Sequence, residues 1–309
     1  MILNIVKIIS SVLVGFSMLI VTSPTIGEML ATMAPIYPKK DQRLISDLDI
    51  SFEEVSFQTP DGFTLQGWFF PSQKADSPVV IYAPATSKDQ RSGISLAAPL
   101  HQAGYHVLLF SYRGHGRSEG NRFGFTYGAH ESKDIDAAVA FLSDTKGIEQ
   151  IAVIGHSAGA ASAIISAARN PRIDALVAAA PFPSVEDIWY TNRPKFFPKS
   201  LFELTFKFAE FRKQFSRNQV RPQDVIDQIS PRPLLLIHGV DDARITQAQA
   251  LDLYEAANQP KCMWLVEGAD HSAVRAPLLD VQIQELISFL DQAFSNTPQT
   301  ICGLEHKIL

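Results

Sequence analysis

A serine stands between two glycines in the run IAVIGHSAGAAS at 151–162. Apolar residues lead into Gly155, then Ser157, then Gly159, and small residues follow. Packing alone gives no need for a serine there, but nucleophilic catalysis does. A serine hydroxyl attacks well only when a base takes its proton, and the base is usually a histidine oriented by a carboxylate. Three histidines follow Ser157 in the chain: His238, His271 and His306. His238 lies inside LLLIHG, too early if the acid precedes the base. His306 is three residues from the end, in a tail expected to be mobile. His271, in EGADHS, follows a predicted strand and a glycine and is the candidate base. For the acid, VDDARI offers Asp241 and Asp242; Asp242 is favoured, and the other is expected to cap the loop. Asp270, next to His271, is too near in sequence to hold it easily from behind.

The surrounding elements must place these groups together. The stretch 51–59 alternates apolar and polar, Pro60-Asp61-Gly62 signals a turn, and 63–70 alternates again, which predicts a hairpin. Short continuous apolar runs then appear at 78–84, 106–112, 151–155, 175–182, 233–239 and 261–268, as strands buried on both faces should read. Stretches with helical spacing separate them, at 94–103, 130–142, 158–169, 247–258 and 278–294. Such alternation predicts a mostly parallel eight-stranded sheet with helices on both faces. Ser157 then falls at a strand-to-helix junction, where a G-x-S-x-G turn forms a nucleophile elbow. The segment 183–229 is too long for an ordinary connection. Within it, SLFELTFKFAEFRKQF has helical spacing, with Phe and Leu expected on one face and the charges on the other. It reads as a small helical cap insertion over the sheet edge, either a plain surface helix or a lid lining a substrate pocket.

Composition narrows the function classes. A net charge of −5 carries no basic field for nucleic acid. Neither metal-ligand spacing nor a Gly-rich phosphate loop is present, so no cofactor or metal is implied. Cys262 and Cys302 are far apart and outside any CxxC pattern, which argues against a structural zinc site and against a disulfide framework. At the N-terminus, residues 8–27 form an uncharged, largely apolar segment of about 20 residues, roughly what a bilayer needs. An uncleaved membrane anchor is the favoured reading, because Val21-Thr22-Ser23 followed by Pro24 makes a poor cleavage site. The alternatives are a cleaved signal, leaving a secreted or periplasmic protein, and a helix packed on the domain. The expected organisation is therefore an N-terminal segment at 1–35, a catalytic domain at 36–297 with its insertion at about 183–229, and a tail at 298–309.

Four motifs carry a family resemblance. GHSAGA matches the elbow, and SYRGHGRSEG at 111–120 matches a D-x-R-G-x-G-x-S-x-G loop. LLLIHGVDDARI matches H-G-x-x-D-x-x-V, which puts the acid on Asp242, and VEGADHS matches the G-x-x-H loop. From about residue 52 to 294 the chain resembles the α/β-hydrolase superfamily, in its esterase, lipase and serine-aminopeptidase-like branch. The resemblance implies an α/β-hydrolase fold and a triad of Ser157, Asp242 and His271. It also implies an oxyanion hole of two backbone amides. Ala158, after the nucleophile, should give one. The family usually has His-Gly after the third strand for the other, whereas this chain has Ala83-Pro84, and Pro84 has no N–H. The second donor is then Ala85 or Thr86, with Ala85 favoured.

Bland roles are expected elsewhere. His156 should pack or bond locally. Arg113 and His115 should stabilise the YRGHG loop rather than touch substrate. Trp189 and Tyr190 either line the pocket or pack. The expected function is a serine hydrolase acting on an ester or other acyl bond of an apolar small molecule. An acyltransferase or peptidase with the same triad is the alternative, and a non-catalytic binding protein on the same fold is a third.

Overall fold

The computed structural model describes residues 48, 50–121, 124–193, 195, 198–272, 283–295 and 306–308. The segment 8–27 lies outside them. Among the described residues no helix is long and apolar enough to cross a membrane.

The predicted hairpin is present: β1 (Glu53–Gln58) pairs antiparallel with β2 (Thr64–Phe70). β1 alternates between buried and exposed, with Val55 and Phe57 inward, as an edge strand with one solvated face should. The apolar runs become β3 (Val79–Ala83), β4 (His106–Ser111), β5 (Ile151–His156), β6 (Ala175–Ala179), β7 (Leu234–Gly239) and β8 (Lys261–Val266). β3 to β7 are buried along their whole length. They are buried on both faces because the crossover helices of parallel strands cover both faces.

A ninth strand, β9 (His306–Ile308), extends the expected sheet. The order is β1-β2-β4-β3-β5-β6-β7-β8-β9, with β9 parallel to β8 and Met263 opposite His306. Part of the tail expected to be mobile is thus a sheet edge; three residues are too few to show a period. The cysteine expectation is also corrected. Cys262 is disulfide-bonded, and the chain's one other cysteine is Cys302, outside the described residues. No short spacing announces the bridge, because it depends on the tail returning to β8.

Successive residues of a strand point to opposite faces, so the sheet splits the core in two. On one face Ile81, Leu108, Val153, Leu176 and Leu236 meet α2 (Glu131–Ala140), α3 (Ala158–Arg169) and α6 (Gln247–Ala256). On the other, Val80, Leu109, Ile154, Val177 and Leu235 meet α1 (Ile94–Gln102) and α7 (Ile283–Phe294).

Between β6 and β7 the chain carries α4 (Val185–Thr191), α5 (Lys199–Lys213) and three short 3-10 turns. α5 does not gather its aromatic residues on one face, as its spacing had suggested. Phe202, Phe206 and Ala209 are fully buried, whereas Leu204, Phe208 and Phe211 are exposed. Trp189 of α4 packs its ring 4.2 Å from that of Phe206, and the Arg217 guanidinium lies 3.9 Å from the Phe206 ring centroid. Arg217 also pairs with Glu186, Glu203 and Glu210, which ties α4 to α5.

Lys213 closes α5 onto the main domain. Its ammonium is buried, donates to the Phe125 carbonyl at 2.9 Å, and lies 5.8 Å from the Tyr127 ring centroid. Burial lowers its pKa to about 8, against the opposing pull of Glu131. The folded chain therefore holds this proton less tightly than the unfolded chain, so stability rises with pH between about 8 and the ordinary lysine value of 10.5. The Tm of the wild type minus that of Lys213→Met is expected to climb across this window in thermal scans. A difference that stays flat from pH 8 to 10.5 contradicts the buried ammonium.

Candidate active site

The elbow begins with two glycines that no other residue replaces. A Cβ on Gly155 would sit 2.6 Å from the Ala160 Cα and from the Gly159 carbonyl oxygen. One on Gly159 would sit 2.2 Å from the Ala83 carbonyl oxygen and 2.4 Å from that of Pro84. The turn between β5 and α3 is thus jammed against the end of β3. Ser157 occupies its apex at φ 54° and ψ −120°, a strained conformation for a residue with a side chain. Its amide donates to the Ala179 carbonyl at 2.8 Å, which anchors the apex to β6.

The hydroxyl of Ser157 lies 2.9 Å from His271 Nε2. On the far side of the ring, His271 Nδ1 is 2.7 Å from Asp242 Oδ2. The acceptor there is a carboxylate, so Nδ1 carries the proton and Nε2 presents its lone pair to the serine O–H. The structure thus brings together the three residues singled out for the triad.

Asp242 is buried, and both its oxygens are engaged. Oδ1 accepts from the amides of Arg244, at 2.8 Å, and Ile245, at 2.9 Å, leaving Oδ2 to His271. Burial opposes its ionisation, but the His271 bond and these two amides outweigh burial and hold its pKa below the ordinary carboxylate value. Asp242, rather than Asp241, thus also caps its own loop. Asp241 is exposed, and its amide donates to the Ala269 carbonyl at 3.1 Å. Asp270 Oδ1 accepts from the Ser272 amide at 2.8 Å.

Two histidines brace the site in ways their sequence positions did not disclose. His238 is fully buried in β7, with Nε2 3.0 Å from the Ile245 carbonyl. Burial lowers its pKa, so it is neutral, and a carbonyl partner puts its proton on Nε2. It therefore steadies the residue whose amide holds Asp242. His156 places its Nε2 3.2 Å from the His271 carbonyl, tying β5 to the loop that carries His271. Gly239 supplies a further close approach: a Cβ there would be 2.3 Å from the Ala269 carbonyl oxygen. These partners are set by the crossing of loops after β7 and β8, so the only sequence hint is the HG pair itself.

The two candidate oxyanion donors lie on segments that meet at Gly159. Ala158 is the first residue of α3, where an amide has no intrahelical partner and the helix dipole favours negative charge. Ala85 is buried just after the Pro84 carbonyl that abuts Gly159. Its carbonyl accepts from the Lys88 amide at 3.1 Å, closing a turn in which Ser87 takes φ 58°. Next to it the Gln90 amide and side chain both bond Ser111 Oγ, pinning this loop to β4.

Arg113 is structural, as expected. Its guanidinium bonds Asp134 at 2.6 and 2.8 Å and Asp61 at 2.6 and 3.1 Å. His115 is buried, with Nδ1 3.0 Å from the Arg113 carbonyl. Trp189 is buried against Tyr127, Phe202 and Phe206, which is packing.

This geometry meets a consistent set of relatives. Residues 91–230 match the model of a family described as serine aminopeptidase, S33, a span that includes Ser157 and ends before Asp242 and His271. An uncharacterized protein of Mycobacterium tuberculosis (strain ATCC 25618 / H37Rv) is 30% identical over 224 residues, 71% of this chain and 72% of its own. The chain belongs to the α/β-hydrolase superfamily. The uncharacterized protein YfhR of Escherichia coli (strain K12) is 26% identical over 268 residues, 84% of this chain and 87% of its own. Among solved structures, an esterase of Pyrococcus furiosus superimposes with a TM-score of 0.69 at 23% identity, covering 85% of this chain and 98% of its own. An α/β hydrolase from Penicillium sp. sh18 gives 0.64 at 19% identity, with 79% and 99% covered. At these identities the structures speak for the hydrolase fold.

The jammed elbow makes a direct prediction. Gly159→Ala should lower the free energy of unfolding by about 2 kcal/mol or more, because rigid backbone rather than a movable side chain meets the new methyl. Urea titration reads this as a lower midpoint at unchanged slope. A midpoint equal to the wild type's contradicts the close approach of β3 to α3.

Proposed function

We propose that this hydrolase cleaves an ester or other acyl bond through an acyl-enzyme on Ser157, with an apolar small molecule as substrate. The observation that carries the reading is the continuous relay from Ser157 Oγ to His271 Nε2 and from His271 Nδ1 to Asp242 Oδ2, at 2.9 and 2.7 Å.

In this reading His271 takes the Ser157 proton as the oxygen attacks the acyl carbon. The imidazolium so formed is stabilised by Asp242, which stays ionised because its pKa is held low. The amides of Ala158 and Ala85 receive the oxyanion. His271 then gives its proton to the leaving alcohol. Water, deprotonated by His271 in turn, attacks the acyl-enzyme and frees Ser157. An acyltransferase or peptidase would use the same steps with another acceptor or leaving group, and products formed in the presence of added alcohol separate them. We also propose that residues 8–27 hold the chain at a membrane, with a secreted or periplasmic protein after signal cleavage as the alternative. The disulfide at Cys262 supports placing the domain on an oxidising side.

Labelling by a fluorophosphonate tests the reading without knowledge of the substrate. Mass spectrometry of the full chain in detergent should find the adduct on Ser157, and Ser157→Ala and His271→Ala should abolish it. An unlabelled but folded wild type would leave the fold to a binding protein. Among the acids, Asp242→Asn should slow turnover of a soluble ester by about 10,000-fold, while Asp241→Asn and Asp270→Asn should stay within about tenfold of the wild type. Equal losses for all three would remove Asp242 from its role.

A further inference from the structure

Helix α5 is apolar on two opposite faces, and only one of them is used. Leu204, Phe208 and Phe211 are 63%, 55% and 83% exposed, and among the described residues large hydrophobic side chains this exposed occur nowhere else. Their spacing of four and then three puts them on one stripe. Phe202, Phe206 and Ala209 take the opposite, buried stripe. Burial of the domain's own core therefore does not account for the outer three.

The charges of α5 are sorted around this stripe. The helix has four basic and two acidic residues. Both acids, Glu203 and Glu210, turn to Arg217 at 3.1 and 3.3 Å. Lys207 and Arg212 are exposed and, at 100° per residue, flank the stripe on either side. An apolar ridge bordered by cations complements a surface that is apolar within and anionic at its border. A second copy of α5 would set cations against cations.

We propose that the outer face of α5 is a membrane-contact surface, laying Leu204, Phe208 and Phe211 into the interface of a bilayer that carries anionic phospholipid. The position of the chain's beginning allows it. Glu53 pairs with Phe69, and Phe69 with Leu108 near the start of β4, so the described domain begins at the amino ends of the parallel strands. Ser157 and the segment bearing α5 follow the carboxyl ends. Residues 28–47 reach up to about 70 Å when extended, against about 20 Å for a six-residue strand. A bilayer that holds residues 8–27 is therefore within reach of α5, and the tether raises the local concentration of α5 at that bilayer, so a weak interfacial contact suffices. This contact does not depend on Ser157 acting as a nucleophile.

The full-length chain tests it with a polarity-sensitive nitrobenzoxadiazole label at Phe211→Cys, and with the same label at Gln73→Cys, an exposed site at the far end of the strands. Cys262 is disulfide-bonded, so the unsubstituted chain should take no label. With vesicles of phosphatidylcholine and phosphatidylglycerol, the Phe211 label should shift to the blue and be quenched by acyl-brominated lipid. The Gln73 label should do neither. Adding Leu204→Glu and Phe208→Glu should abolish the shift, with helix content unchanged by circular dichroism and soluble-ester hydrolysis retained. A Phe211 label that stays water-like on a vesicle-bound chain overturns the proposal. A label already blue without lipid also overturns it: if the colour is independent of concentration, residues 1–47 cover the stripe, and if it is lost on dilution, a second copy does.

Discussion

The contact between the turn at Gly155–Gly159 and the end of β3 governs this molecule. Carbonyl oxygens of Ala83 and Pro84 stand where a side chain on Gly159 would have to go. That approach forces Ser157 into a positive-φ apex, a strain of about 1–3 kcal/mol. The strain persists because the residues on either side cannot relax: β5 is buried along its length, and α3 packs its alanines against the sheet. The same contact sets the loop after β3 beside the amino end of α3. The exposed apex that carries Ser157 and the meeting of the loop after β3 with the start of α3 are thereby consequences of one backbone packing problem.

Electrostatics completes the arrangement at a second layer. Asp242 faces His271 with a single oxygen because backbone amides take the other. His238, kept neutral by burial, steadies the Ile245 end of that loop, and His156 steadies the carbonyl of His271 itself. Each bond crosses between loops from different strands. The relay is thus held by the order of strands in the sheet more than by any one loop.

The segment between β6 and β7 follows a different logic. Its inner contacts, through Trp189, Phe206 and Arg217, are as dense as a core. Lys213 fastens its end beneath Phe125 and Tyr127. Its outer stripe has no counterpart within the described domain. One helix thus belongs to the protein on one side and to its surroundings on the other.

The strands and helices of the sheet were legible because parallel strands covered on both faces read as unbroken apolar runs, and because the glycines of the elbow have no other use. Ser157, His271 and Asp242 could be chosen as candidates from chain order and motif alone, since Ser157 directly follows β5 and the other two lie in the loops after β7 and β8. What the sequence left open depended on partners distant along the chain. The three residues His306–Ile308 carry no period, so β9 exists only through its pairing with β8. The bridge at Cys262 needs that return of the tail. Arg113 gave no sign of Asp134 and Asp61, or His156 of the His271 carbonyl, because loops meet in space without marking their spacing. Nor could amphipathicity orient α5, where phenylalanines occur on both faces and the side to be buried was decided by Trp189 and Arg217. Local periodicity and backbone sterics are written residue by residue along the chain, while the choice among equivalent apolar faces is made by whatever the fold brings against them.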